Sequence, residues 1–346
     1  MVVVRPVKLK DLDGLVQLAY QASFGLTSLP RGRELLHKRI LESTENFART
    51  GERPRGELFV FVMEDLEHGL VVGTSSIVSK LGGFQPFYAY RIETCLHESQ
   101  MLNVRKQVQT LHLVVEHSGP SEIGGLFLAP EYQKHGRGRL LSLFRFLFMS
   151  EQRSRFESPV LAEMRGVVDD QGRSPFWEAI GRHFFDIDYP TADYLTQVDK
   201  KFIADLMPTC PIYIPLLPKS AQDVIGKVHE RTEPALKLLV DEGFRFSGMV
   251  DIFEAGPIIQ CNLDEIRIVK ESQAGAVTEI ASAGIESDRF IICSSQKDFR
   301  ACVGTVDRIN GGVRITRETA ALLQVTLGDR VRFGPFRPSK TSDEGK

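Results

Sequence analysis

The 346-residue sequence has no apolar run that approaches the roughly 18 residues needed to cross a bilayer. Its most apolar stretch, residues 140–149, is interrupted by Ser142 and Arg145. The opening Met-Val-Val-Val-Arg-Pro lacks the apolar core of a secretory signal and is typical of a first β-strand. We therefore expect a cytoplasmic protein without a membrane partner.

Neither sign of charge is in excess, since 43 Lys and Arg face 45 Asp and Glu, a formal net charge of −2. The protein therefore has no net positive charge that would attract it to nucleic acid. The five cysteines are scattered and form no Cys-x-x-Cys pair, which fits reduced thiols and not a disulfide frame. His112 and His117 have no third ligand nearby, so we predict no metal site.

Two nucleotide-binding motifs are also missing from the glycine-rich segment 124–141. No Gly-Lys-Ser/Thr follows it, which argues against a nucleoside-triphosphate loop. No Gly-x-Gly-x-x-Gly with a later acid is present, so a dinucleotide fold is poorly supported. The segment instead has a buried strand, Leu126-Phe127-Leu128, which Pro130 ends. Gln133-Lys134-His135-Gly136-Arg137-Gly138 then leads into an apolar helix.

A glycine-rich turn between strand and helix presents unpaired backbone N–H groups at the positive end of the helix dipole, which suits a phosphate or pyrophosphate. The pattern Gln-x-x-Gly-x-Gly after such a strand resembles the pyrophosphate loop of the GCN5-related N-acyltransferases. That resemblance implies that Gln133, Gly136, Arg137 and Gly138 hold the diphosphate of an acyl-coenzyme A. The alternative is an ordinary strand–turn–helix connection with a solvated basic tip.

The order of predicted elements favours the same α+β fold, a mixed, mostly antiparallel sheet flanked by helices. A strand, two helices and antiparallel strands precede the loop and its helix. We assign residues 1–255 to an acyl-coenzyme A N-acyltransferase-like domain, in which 190–233 form an insertion or extension. The C-terminal region, 271–337, is expected to be small and β-barrel-like. It begins with a linker over 271–288 and contains a strand–turn–strand over 322–333. Residues 338–346 are expected to be a disordered tail.

Four longer strings resemble one family, arginine N-succinyltransferase, over residues 1 to about 270. They are Gly25-Leu26-Thr27-Ser28-Leu29-Pro30, Ala162-Glu163-Met164-Arg165-Gly166, Ser174-Pro175-Phe176-Trp177 and Ala221-Gln222-Asp223-Val224-Ile225-Gly226-Lys227-Val228-His229. The resemblance implies transfer of succinyl from succinyl-coenzyme A, a co-substrate and not a permanent cofactor, to the α-amine of L-arginine. It also implies a homo- or hetero-oligomer.

The resemblance places the general acid at His229, and the chemistry requires such a group because protonation of the departing thiolate prevents the back reaction. The alternative role is a histidine at a helix C-terminus, bonded to the last carbonyls. The resemblance also makes Leu126 a succinyl-coenzyme A contact. A splayed strand can pair with the pantetheine amides, although Leu126 would serve equally as a core side chain.

The arginine substrate requires a carboxylate for its guanidinium. Glu163 is the leading candidate because it is charged within a strand-like segment, although an internal ion pair with Arg165 or another basic group is an equal alternative. Arg165 is also a candidate for the succinyl carboxylate. Four further acids and two further arginines are kept open for these roles: Asp169, Asp170, Asp223, Asp251, Arg5 and Arg91.

Two alternatives to arginine succinylation remain. The acceptor could be ornithine or another cationic amino acid, with the same acyl-coenzyme A chemistry. In a different class, the chain could be a non-catalytic subunit of a hetero-oligomeric succinyltransferase. The loop together with His229 favours an active enzyme, because a structural subunit needs neither.

Overall fold

The computed structural model describes residues 1–22, 28–51, 53–282, 284–295 and 298–338. Part of two predictions therefore lies outside the described residues: positions 25–27 of the first family string, and positions 339–346 of the expected tail. Within the described ranges, no helix is long and apolar enough to cross a membrane.

The structure contains fifteen strands and eleven α-helices in the described residues. The strands are β1 (Val2–Pro6), β2 (Leu58–Asp65), β3 (Leu70–Val78), β4 (Phe87–Ser99), β5 (Val104–Glu116), β6 (Ser121–Leu128), β7 (Val160–Glu163), β8 (Ile212–Tyr213), β9 (Arg245–Val250), β10 (Pro257–Cys261), β11 (Gln273–Ala281), β12 (Arg289–Ser294), β13 (Ala301–Ile309), β14 (Gly312–Thr316) and β15 (Arg330–Pro335). The helices are α1 (Leu12–Gln21), α2 (Arg33–Ala48), α3 (Arg137–Glu151), α4 (Pro175–Ala179), α5 (Gly181–Phe185), α6 (Tyr189–Leu195), α7 (Lys201–Leu206), α8 (Lys219–Gln222), α9 (Glu233–Asp241), α10 (Arg267–Lys270) and α11 (Arg317–Leu323).

The strands join in one sheet, in the order β12-β15-β11-β14-β13-β1-β2-β3-β6-β7-β10-β9-β4-β5-β8. Two neighbouring pairs of the described strands are parallel, β6 with β7 and β11 with β14, and the other described pairs are antiparallel. The predicted α+β class, with a mixed, mostly antiparallel sheet and flanking helices, is confirmed. Strand β1 joins the larger part of the sheet to the C-terminal region through the pair Val4↔Ala301.

Helix α3 forms the centre of the largest apolar core. Every residue from Leu140 to Met149 is buried, so apolar side chains surround the helix on all sides. Gly73 of β3 allows close approach, because a Cβ there would lie 2.9 Å from the side chain of Leu141. The Phe144, Phe146 and Phe148 side chains are therefore core. The helix is held rigidly below the loop that precedes it.

The structure departs from the sequence-based elements in several places. Residues 273–281, expected as linker, form β11, and β4 and β10 were not predicted. The strand predicted from residue 322 is wrong, because α11 runs to Leu323 after an N-cap in which the Thr316 hydroxyl accepts the N–H of Thr319. The family string at 174–177 begins two short helices, α4 and α5, which meet at Ile180.

Candidate active site

Strands β6 and β7 are neighbours in the sheet, and their pairing stops early, next to the candidate site residues. These parallel strands pair at Ser121↔Val160 and Glu122↔Leu161, and no further register pairs follow along the described strands. Beyond that point β6 carries a bulge against β3: Ser76 pairs with Gly124 and Thr74 with Phe127. A bulge leaves backbone groups outside the ladder, so the segment that contains Leu126 can offer them to a ligand.

The bulge has two visible supports. Gly125 has a φ of +61°, and a Cβ there would lie 2.7 Å from the Ser76 hydroxyl, so only glycine fits without strain. The buried Arg145 of α3 donates a 3.2 Å hydrogen bond to the carbonyl of Gly124. Leu126 itself packs its side chain against the core. The core role and the ligand role proposed for Leu126 are therefore compatible.

The loop at residues 133–138, called the phosphate loop below, connects β6 to α3. Its left-handed residues are His135, with φ of +58°, and Gly136, with φ of +75°, which is the N-cap of α3. The backbone N–H groups at 135, 136, 138 and 139 have no acceptor among the described residues. Successive N–H groups that converge at a helix N-terminus form an anion-binding concavity.

The predicted loop residues occupy different positions around this concavity. The side-chain amide of Gln133 donates to the Leu128 carbonyl over 2.9 Å, which closes the loop against the end of β6. The Arg137 guanidinium lies 5.0 Å above the Tyr132 ring. A Cβ on Gly138 would have no atom within 4 Å, so open space lies in front of the first turn of α3.

His229 does not end a helix, so the alternative role at a helix C-terminus is wrong. Residues 223–229 form turns and extended chain, and His229 is the N-cap of a 3₁₀ turn, Glu230–Thr232. Its Nδ1 accepts the backbone N–H of Arg231 over 3.1 Å, which leaves the proton of the neutral ring on Nε2. Its own backbone N–H donates to the Arg165 carbonyl over 2.9 Å. Burial, followed by the charge of Arg165, lowers the pKa of His229 below 6.5.

Glu163 is the last residue of β7, and its side chain is exposed at the point where the strands have separated. Protein nevertheless surrounds it closely enough that desolvation raises its pKa well above 4.5. The neighbouring acids Glu122, Asp251 and Glu254 raise this pKa further, and Lys200 opposes them. When several carboxylates lie near one another with fewer cations than acids, a cationic ligand binds favourably because it offsets their repulsion.

The sequence analysis missed four residues around Glu163, three acids and one lysine. Glu254 is buried, accepts the Tyr189 hydroxyl and the Gly166 N–H over 2.7 Å each, and has its pKa raised to about 8, mainly by burial. Burial also raises the pKa of Asp193 to about 7 and that of Glu122. Lys200 is the fourth member. These residues come from distant segments, so no spacing along the chain could have found them.

Of the other candidates for substrate binding, Asp251 lies within this group, and four others are already engaged or lie outside it. The buried Arg5 is held by Asp11 at 2.7 Å and by Glu64 at 2.6 Å. The exposed acids Asp169 and Asp223 pair with Arg173 and Lys219. Arg91 is more than half exposed and lies 4.0 Å from Glu93. Arg165, in contrast, lowers the pKa of Asp193 and Glu254 and therefore lies within the acidic group.

A sheet that splays beside a bulged strand, followed by a phosphate loop and a helix, defines the class: this is the GCN5-related N-acyltransferase fold, whose members use an acyl-coenzyme A co-substrate. Two family models match the chain. Arginine N-succinyltransferase beta subunit covers residues 2–268, and its C-terminal domain covers residues 273–335. The chain belongs to the arginine N-succinyltransferase family.

Individual relatives agree with this membership. The chain is 41% identical over 336 residues to arginine N-succinyltransferases from Escherichia coli (strain 55989 / EAEC) and Shigella flexneri, covering 96% of this chain and 97% of each relative. A solved structure from Pseudomonas aeruginosa, arginine/ornithine succinyltransferase subunit AI, superposes with a TM-score of 0.88 at 34% identity. That match covers 97% of this chain and 99% of the other.

Proposed function

We propose that this enzyme transfers the succinyl group of succinyl-coenzyme A to the α-amine of L-arginine, giving N2-succinyl-L-arginine and coenzyme A, the first step of arginine breakdown by the succinyl route. The observation that carries the proposal is one arrangement along two neighbouring parallel strands. Strand β6 carries the bulge at Leu126 and leads into the phosphate loop, and β7 ends at Glu163 among the surrounding acids. The relatives named above supply the identity of the acyl group and acceptor.

The donor binds along β6 and the phosphate loop. The unpaired N–H groups near Gly136 and Gly138 bind the diphosphate, and Arg137 adds positive charge. Gln133 keeps the loop closed against β6. The pantetheine amides pair with backbone groups of the bulged strand at Leu126, as an added strand would. The thioester then lies where β6 and β7 separate.

The acceptor binds in the acidic group. Glu163 receives the guanidinium, whose charge relieves the repulsion between the surrounding carboxylates. Arg165 binds a substrate carboxylate, either that of arginine or the free end of the succinyl group. Because the His229 N–H is bonded to the Arg165 carbonyl, this contact holds the substrate at a fixed position relative to the imidazole.

The chemical step is direct transfer within a ternary complex. The α-ammonium loses a proton to a neighbouring carboxylate or water, and the free amine attacks the thioester carbonyl. A C–N bond forms, and a backbone N–H of the bulge stabilises the oxyanion. The C–S bond then breaks, and the attacking nitrogen loses its second proton to solvent. His229 in its imidazolium form donates the Nε2 proton to the departing thiolate and is left neutral. The products are the amide and the coenzyme A thiol.

Release of coenzyme A thiol by the purified chain tests the proposal. Succinyl- and acetyl-coenzyme A are each combined with L-arginine, L-ornithine and L-lysine. The proposal predicts fast release with succinyl-coenzyme A and arginine, and mass spectrometry should find succinyl on the α-nitrogen. Equal turnover with acetyl-coenzyme A, or none with arginine, would contradict it.

A second acceptor, ornithine, has specific support, because the Pseudomonas aeruginosa relative is described as acting on arginine and ornithine. That relative is also described as a subunit, which supports our proposal that this chain works in a homo- or hetero-oligomer. Turnover with ornithine in the same assay would favour the broader specificity. If no pair reacts although coenzyme A binds, the chain would be a subunit that depends on a partner.

We also propose a division of roles between the two parts of the chain, and a cytoplasmic location. Residues 1–255 carry the transferase chemistry, and the extension 190–233 contributes Asp193, Lys200 and His229 to the site. Residues 271–337 form an accessory region. The substrates of the proposed reaction are metabolites of the cytoplasm, where we expect the enzyme to act.

A further inference from the structure

The C-terminal region, residues 271–337, lies directly against the phosphate loop. The ring of Phe336 is packed on Gly136: a Cβ added there would lie 2.4 Å from the Phe336 Cζ. Phe336 is almost fully buried, so this contact is a fixed part of the fold. The N-cap of α3 is thus packed against the C-terminal region, and residues that flank Phe336 lie beside the proposed diphosphate site.

Two arginines flank this contact. The backbone N–H of Phe336 donates to the Arg289 carbonyl over 2.9 Å, and the Arg289 guanidinium lies 4.9 Å above the Phe336 ring. Arg337 follows Phe336 in sequence and is exposed. Burial lowers the pKa of Arg139 of α3, and the charge of the nearby Arg337 lowers it further. Among the described residues, no carboxylate is within ion-pair distance of Arg289 or Arg337.

A cavity of about 160 Å³ separates the two parts of the molecule at this point. Its lining includes His135, Gly136 and Arg137 of the phosphate loop, and Arg289 from the C-terminal region. Glu318 is an acid on the same lining. Cations from the loop and from the C-terminal region therefore face one space, beside N–H groups that have no protein acceptor.

We propose that Arg289 and Arg337 form a phosphate clamp through which the C-terminal region binds the nucleotide end of the acyl-coenzyme A donor, with the 3′-phosphate as its target. This inference rests on the proposed function, because it takes the donor to be a coenzyme A thioester. The loop N–H groups can hydrogen-bond the diphosphate, whereas the dianionic 3′-phosphate lies beyond them and requires guanidinium donors of its own. The clamp gives the C-terminal region a role in donor selection.

The test compares coenzyme A with 3′-dephospho-coenzyme A, by calorimetric binding and as succinyl thioesters in the turnover assay. The variants are Arg289→Gln and Arg337→Gln, with Arg289→Lys to restore the charge. Arg330→Gln is the matched control, because this exposed arginine lies at the opposite end of β15 and loses the same charge.

The clamp predicts that the wild-type protein binds coenzyme A about tenfold more tightly than its dephospho form. Each Gln variant should lose most of this preference by weakening binding of coenzyme A alone, with kcat and the KM for arginine unchanged. Arg289→Lys should retain part of the preference for coenzyme A over its dephospho form, and Arg330→Gln should retain all of it. A wild-type protein that does not distinguish the two ligands would overturn the clamp. So would Gln variants that weaken both ligands equally.

The calorimetric arm separates this inference from the proposed function. If no acyl-coenzyme A supports turnover but coenzyme A is preferred over its dephospho form, the reaction is wrong and the clamp stands. If arginine is succinylated without that preference, the reaction stands and the clamp is wrong.

Discussion

The backbone N–H of His229 donates a 2.9 Å hydrogen bond to the carbonyl of Arg165, which joins the proposed acid to the segment after β7. The two residues are distant in sequence, so a loop of the extension has to return to this segment for the site to be complete. The same arrangement places the positive Arg165 near the imidazole and lowers the pKa of His229.

The pKa of His229 should lie below 6.5 in the free protein, because burial and then Arg165 both disfavour the charged ring. Replacing Arg165→Gln should raise this pKa toward its ordinary value. An NMR titration of the ring proton, assigned with a His229→Gln sample, measures both. Arg173→Gln, which removes an exposed arginine paired with Asp169, should leave it unchanged. A pKa that does not respond to Arg165→Gln would show that Arg165 exerts no field there.

Turnover should depend on His229 far more than donor binding does. His229→Gln removes the proton donor for the thiolate, and we expect kcat to fall about 10²-fold or more. The dissociation constant for coenzyme A should change less than twofold, because the phosphate loop is untouched. His183→Gln is a suitable control, since His183 is exposed on α5. Unchanged kcat in His229→Gln would remove His229 from the mechanism.

Arginine recognition should depend on Glu163. We expect Glu163→Gln to raise the KM for arginine by about 10- to 100-fold, through loss of a charge-assisted pair, with the KM for succinyl-coenzyme A unchanged. Glu178→Gln on α4 provides the control, because this half-buried acid also pairs with an arginine, Arg182. A rise in KM that is equal for both substrates would point to general damage and not to the acceptor site.

The pH dependence of arginine binding offers an independent check on the same residue. The raised pKa of Glu163 means that it keeps its proton above pH 4.5 in the free protein. A bound guanidinium favours the carboxylate, so binding releases a proton and affinity increases as pH rises above 4.5. Calorimetry in buffers of different ionisation enthalpy measures this release. Glu163→Gln should reduce it.

Two glycines of the phosphate loop should respond differently to alanine. Gly136→Ala forces a left-handed φ on a residue with a Cβ and collides with Phe336, so we expect a loss of about 1–3 kcal/mol in stability and weaker coenzyme A binding. Gly138→Ala meets no protein atom, so stability should be unchanged. If the diphosphate occupies that open space, only coenzyme A affinity falls. Thermal unfolding and calorimetry distinguish the two cases.

The fold could be predicted where local patterns are strong. The run Leu126-Phe127-Leu128 and the glycines at 136 and 138 indicated the strand, turn and helix that the structure contains. Strand β11 was missed because Gln273, Ala274 and Gly275 have little apolar character, and pairing with β15 and β14 decides its conformation. At α11, Thr316 could have indicated the start of a helix, because it is an N-cap residue. The apolar residues that follow were interpreted as a strand instead.

The site could be predicted only in part, for a different reason. His229, Glu163 and the loop residues belong to strings that resemble a known family. Glu122 and Glu254 carry no local signal, because their importance arises from tertiary proximity and burial. A raised pKa is a property of the folded environment, which spacing along the chain does not encode.

Both parts of the chain pack on helix α3. The sheet covers one side of the helix, at Gly73 and Leu141, while the other side carries the Phe299 ring, 4.9 Å from that of Phe148. Arg332 also pairs with Glu151 near its end. Cutting the chain near residue 270 would expose an aromatic face of α3, so we expect the parts matched by the two family models to unfold as one cooperative unit. Because both parts pack on α3, neither can be exchanged for an unrelated domain unless the apolar surface of that helix also changes. The two parts are therefore expected to evolve together.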